Sequence, residues 1–155
     1  MIVESPKLED NSKVYIFPSD RKLYPDEIPV LSEKITDFLE DLSEVDSFFE
    51  IKYQRFIIIL VSGKTPLSVS QNEALVLLMF SFEKELNLSL IDKVKVFFKQ
   101  GKYVQCKEVP DFKKLIKNRG VSKNTIVFNN FIHSKSEYDC CWEVPASESW
   151  ISHLF

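Results

Sequence analysis

Ser62-Gly63-Lys64-Thr65 directly follows an apolar run, and a Gly-Lys-Thr tripeptide behind a strand raises the question of a phosphate loop. Such a loop needs several residues between strand and tripeptide, so that successive backbone N–H groups can wrap phosphate oxygens. Here Ile58 stands five positions before Gly63, inside the apolar run, and Pro66 after Thr65 has no N–H to donate. The only glycines are Gly63, Gly101 and Gly120. Neither G-x-G-x-x-G nor G-x-x-x-x-G-K-[ST] can be written with them, so the common nucleotide fingerprints are excluded. ATP is not expected to bind.

The other reactive side chains assemble no better. Cys106, Cys140 and Cys141 are odd in number and two are adjacent, which gives no disulfide framework and no C-x-x-C knuckle. A thiol nucleophile would need a base in reach and a third group to orient it. His133 and His153 offer no such pattern, so Cys140 and Cys141 read as small hydrophobes flanking Trp142. His133 with the two cysteines has poor spacing for a metal. Glu33, Asp37, Glu40, Asp41 and Glu44 fall opposite Ile35 and Leu42, as on a solvated helix face. Acid–base chemistry would require a buried pair instead. No catalytic residue, metal ligand or cofactor is assigned.

What remains is binding chemistry. Tyr103 and Trp150 are candidate aromatic anchors, with Phe128 and Trp142 as further lining of a groove. Arg55, Lys64, Asn129 and Asn130 are candidate polar contacts around a pocket between two halves of the chain. Each has a plainer reading: Arg55 as a hairpin-turn charge, and the asparagines bonding backbone at a strand end.

The elements that must position these residues follow from periodicity. The chain has 155 residues, 45% apolar and 28% charged, with net charge −3. That composition is globular, and the slightly acidic balance argues against a nucleic-acid surface. No apolar stretch is long enough to span a bilayer, and the acidic N-terminus lacks a signal-peptide core, so a cytoplasmic protein is expected. Residues 1–12 read as a flexible tail. Lys13–Phe17 alternates as a strand, and Ile28, Leu31, Ile35, Phe38, Leu39 and Leu42 form a helical stripe with Asp26 as N-cap. Ser47–Tyr53 and Phe56–Val61 read as strands, the second continuously apolar and so covered on both faces. Ser70 and Glu73 have capping-box spacing ahead of a helix to about Asn87, apolar all round across Ala74–Phe80. A hairpin over Val94–Cys106, a short helix ended by Asn118-Arg119-Gly120, and a strand at Thr125–Phe131 follow. Trp142 is expected to be buried over that short helix.

The order predicts an α+β fold: a ferredoxin-like βαββαβ unit over 13–93, its sixth element the 94–99 strand. That strand is shared with a small ββαβ unit over 94–155.

Two resemblances add to this. Phe112, Leu115, Ile116, Gly120-Val121, Asn124-Thr125-Ile126-Val127 and Trp142-Glu143-Val144-Pro145-Ala146-Ser147-Glu148 resemble, in order, the pattern of the bacterial GYF-like domain. The resemblance implies a GYF-like unit over 94–155 and an interaction role; the Gly-Tyr-Phe tripeptide itself is absent. Phe49–Phe56, Asn124–Asn130 and Trp142–Trp150 are similar to stretches of a small bacterial family usually labelled "ABC transporter ATPase", although no Walker motif is present. The expected function is a non-catalytic module binding a protein or peptide. The alternative is a small-molecule-binding protein or small enzyme with a polar pocket between the halves.

Overall fold

The computed structural model describes residues 1–155. Its organising strand is the continuously apolar run, β3 (Phe56–Val61), whose six residues are all buried. It lies between β1 (Lys13–Pro18) and β2 (Ser47–Lys52), antiparallel to both, with Ile16 and Glu50 opposite Ile58. Side chains alternate across a strand. Ile57, Ile59 and Val61 therefore face one side of this sheet, and Phe56, Ile58 and Leu60 the other.

Helices α1 (Glu27–Glu40) and α2 (Val69–Leu86) cover the first side. In α1, Leu31, Ile35 and Leu39 recur every fourth residue and are fully buried. Asp26 makes no side-chain cap. Glu27, the first helical residue, instead ties down the preceding turn, accepting the Tyr24 N–H (2.7 Å) and both guanidinium nitrogens of Arg21 (2.9 and 2.8 Å). The capping box of α2 is Ser68 with Gln71, two residues before the expected pair. The helix is not buried all round. Leu75, Met79 and Phe82 reach the core, but Val69, Val76, Leu77 and Phe80 stay exposed, because α2 is an outer layer with one neighbouring face.

The second side of the first sheet meets a second sheet of order β5-β4-β6-β7: Tyr103–Lys107, Val96–Gln100, Ile126–Phe128 and Glu143–Pro145. This corrects the ferredoxin-like expectation: β4 does not join β1 in one sheet. A four-stranded sheet with both helices on one face would leave Phe56, Ile58 and Leu60 facing water. Here they are covered by Phe97, Phe128 and Trp142. On the outer face of the second sheet, Val96, Phe98 and Val127 pack under α3 (Val109–Lys117) and the C-terminal 3-10 turns, through Phe112, Ala146 and Ile151. The result is four layers (helices, sheet, sheet, helix with turns) and three interlayer cores.

Two further expectations change. Residues 1–12 are packed rather than a free tail. Leu8, 4% exposed, sits in the inter-sheet core, and Ser47 exchanges backbone bonds with Met1 and Val3 (2.9 and 2.7 Å). Between β6 and β7 the chain forms a further short helix, α4 (Lys135–Cys141), capped by Ser134. Trp142, just beyond it, is buried as expected but in the inter-sheet core, not over α3. No helix is long and apolar enough to cross a membrane.

Candidate functional site

The turn joining β2 to β3, Tyr53-Gln54-Arg55, is built against local preference. Tyr53 and Gln54 both take left-handed backbone, φ 57° and 53°. Two such residues match the twist of a hairpin, but the position favours Asn-Gly, and a side chain there costs about 1–2 kcal/mol per residue. Contacts from elsewhere hold the conformation. Arg55 N–H donates to Lys52 O (3.0 Å), Leu23 N–H to Gln54 O (2.7 Å) and Ser19 N–H to Arg55 O (2.8 Å). The Tyr53 hydroxyl donates to Glu143 on β7 (2.8 Å), tying the first sheet's turn to the second sheet. Burial pushes that hydroxyl's pKa up, so it stays protonated and able to donate.

The consequence is a buried arginine. Arg55 is 9% exposed, and its guanidinium reaches only the carbonyls of Ser19 and Asp20, both at 3.5 Å. It has no carboxylate partner, whereas Arg21 has a bidentate one. The Asp20 carboxylate is engaged by the Ser89 N–H (2.9 Å) and Lys95 (3.7 Å). Burial pulls the Arg55 pKa below its ordinary value, offset in part by Cys106 and Asp20. The guanidinium nonetheless stays charged.

Arg55 opens into a cleft of about 270 Å³ lined by Lys22, Tyr53, Gln54, Arg55, Lys102, Tyr103 and Val104. Lys102 arrives through the β4–β5 turn, where Gly101 supplies φ +61° at no steric cost. Three lining residues are cationic and none is acidic, in a chain of net charge −3. Tyr103, 66% exposed, forms the outer wall.

Of the residues singled out from sequence, the structure brings Arg55 and Tyr103 together here. It does not bring the others. Asn130 is 2% exposed and accepts the Trp142 Nε1–H at 2.9 Å, a core hydrogen bond. Asn129 accepts the Phe131 N–H (3.3 Å) and donates its own N–H to Trp142 O (2.7 Å), the backbone role expected at a strand end. Trp150 is half-buried and stacks edge-on against Phe131 at 5.6 Å, away from the cleft lining. Sequence reasoning missed Lys22 and Tyr53. Lys102 was locatable in principle, since it follows the Gln100-Gly101 turn.

The remaining reactive groups are occupied. In the Ser62–Thr65 loop, Lys64 N–H donates to Ser62 Oγ (3.2 Å) and Thr65 N–H to Ser62 O (3.3 Å). Those amides close the loop on itself rather than forming an anion cradle. Cys140 and Cys141, expected to be two free small hydrophobes, are instead joined to each other by a disulfide at the end of α4. Burial pushes the Cys106 thiol up to about 11, so it is no nucleophile near neutrality. No three His, Cys, Asp or Glu side chains gather where a metal ion could sit.

No family model matches the chain. Neither a curated protein nor a solved structure is significantly similar to it. Its chemistry is therefore argued from the cleft's own residues.

Proposed function

We propose that the protein is a non-catalytic binding module for acidic peptide segments of other proteins, and that the cleft at the β2–β3 turn takes a carboxylate of the ligand. The observation that carries this reading is Arg55: buried, charged and without an anionic partner. A buried charge that lacks a partner is unfavourable, and an incoming carboxylate would supply charge-assisted, bidentate hydrogen bonds. Lys22 and Lys102 add to the local field that would draw an acidic segment in. At about 270 Å³ the cleft falls just below the roughly 300–1,000 Å³ of sites that enclose whole small molecules. It suits one group of a longer ligand, with Tyr103 as a rigid ring on which the rest can lie. The GYF-like resemblance of 94–155, the stretch that contributes Lys102 and Tyr103, also favours an interaction role. The lining holds no histidine, carboxylate or thiol, the side chains that most often move a proton or attack a substrate, so binding rather than turnover is the expected activity.

The test uses fluorescence anisotropy with a labelled hexaglutamate peptide, beside a thermal shift with inorganic phosphate. Binding is expected to weaken steeply with salt and to fall at least tenfold in Arg55→Met and in Lys22→Glu/Lys102→Glu. Arg55→Met should melt at or above wild type, since it removes an unpaired buried charge while filling similar space. Peptide binding that survives both variants overturns the proposal. So does an Arg55→Met protein that unfolds, which would make the arginine structural. Stabilisation by phosphate with no peptide binding would favour the small-ligand alternative.

A further inference from the structure

The exposed side of α2 carries a pattern that the cleft does not use. Leu77 and Phe80 are 65% and 50% exposed, flanked by Val69 (76%) and Val76 (37%). Glu73 and Lys84 are exposed on the same helix and take no ion pair or side-chain hydrogen bond. At 3.6 residues per turn, Glu73, Leu77, Phe80 and Lys84 fall within roughly 60° of one another around the helix. Their spacing reads the same in both directions, four, three, four, about a point between Leu78 and Met79.

From this we infer that α2 is a homodimer interface, its occupant the α2 of a second copy running antiparallel across a two-fold axis near that point. A two-fold interface must be self-complementary, each residue meeting its counterpart's partner twice. In this register Leu77 of each copy meets Phe80 of the other, and Glu73 of each meets Lys84 of the other. The apolar centre is covered and both unpaired charges gain opposite partners. A parallel arrangement would set Glu73 beside Glu73 and Lys84 beside Lys84. Charge complementarity thus selects both the occupant and its direction. One helix pair buries little area compared with obligate dimers, so the association is concentration-dependent.

Sedimentation equilibrium between about 5 and 200 µM tests this, the upper end lying well above a micromolar dissociation constant. Wild type is expected to move from monomer to dimer over that range. Leu77→Lys should remain monomeric with unchanged far-UV circular dichroism, because the side chain lies in water in the monomer. Glu73→Lys and Lys84→Glu should each be monomeric alone, from like-charge contacts. Their equimolar mixture should dimerise, and so should the Glu73→Lys/Lys84→Glu double variant. A wild type monomeric at 200 µM overturns the inference, as does a dimer that tolerates Leu77→Lys. Failure of the mixture to re-associate overturns the antiparallel register. Cleft binding by the monomeric variants should be unchanged, which keeps the two proposals separable.

Discussion

Trp142 offers a direct check on the inter-sheet core. It is 2% exposed, its ring lies 4.9 Å from Phe128, 5.0 Å from Phe56 and 5.2 Å from Tyr138, and its Nε1–H donates to buried Asn130. Trp142→Phe keeps most of the apolar contact but leaves the Asn130 side-chain oxygen without its donor. An orphaned buried acceptor costs about 1–3 kcal/mol. Trp142→Ala also opens a cavity among three aromatic rings, and such truncations cost about 3–5 kcal/mol. For a domain of this size each kcal/mol moves the melting point by about 2–4 °C. Trp142→Ala should therefore melt about 6–20 °C below wild type, and Trp142→Phe about 2–12 °C below. Urea unfolding gives the free energies, and pairing Trp142→Phe with Asn130→Leu closes a double-mutant cycle. Losing both partners should cost less than the sum of the single losses, by about 1 kcal/mol. A Trp142→Phe protein within about 0.5 kcal/mol of wild type, the range of ordinary surface substitutions, would refute the buried hydrogen bond. A Trp142→Ala protein that melts like wild type would refute the packing itself.

Further outcomes follow from other sites. Arg119, not Gly120, holds the left-handed position after α3 (φ 60°), where Gly120 N–H reaches Leu115 O at 2.8 Å. Arg119→Gly should raise stability by about 0.5–1 kcal/mol in urea unfolding, and a loss would refute the cap geometry. Burial holds the Cys106 thiol up to about 11 in the folded protein, above its ordinary value. The unfolded chain then releases that proton first as pH rises, so stability should fall between about pH 9 and 11. Cys106→Ala should lessen that fall, and an identical alkaline profile would contradict the burial. Isothermal titration with Mg-ATP should show no micromolar binding; binding abolished by Lys64→Ala would overturn the closed Ser62–Thr65 loop.

The sequence disclosed those features that one strand or helix face decides alone. The β3 run had to be covered on both sides, and Leu31, Ile35 and Leu39 had to face a core, whatever lay opposite. It did not disclose what covers the second side of β3. Val96, Phe97 and Phe98 satisfy a ferredoxin-like edge and a separate sheet equally well until the cover for Phe56 and Ile58 is known. The same ambiguity made α2 read as buried: Leu77 and Phe80 look like core residues unless the layer count is known. Leu8 was hidden among polar neighbours, being one apolar residue with no period around it. At the site, Arg55 and Tyr103 were legible as chemistry. Their meeting depended on a Tyr53-Gln54 turn whose left-handed backbone is imposed by tertiary contacts against local propensity. Lys22 carried no motif and enters only through the fold.

The most direct test of the cleft is a two-dimensional amide NMR titration of the labelled protein with hexaglutamate. Saturable shifts confined to the backbone around Lys22, Tyr53–Arg55 and Lys102–Val104, abolished in Arg55→Met, are the predicted result. Shifts centred elsewhere, or none up to millimolar peptide, where binding free energy falls to about 4 kcal/mol, would contradict it.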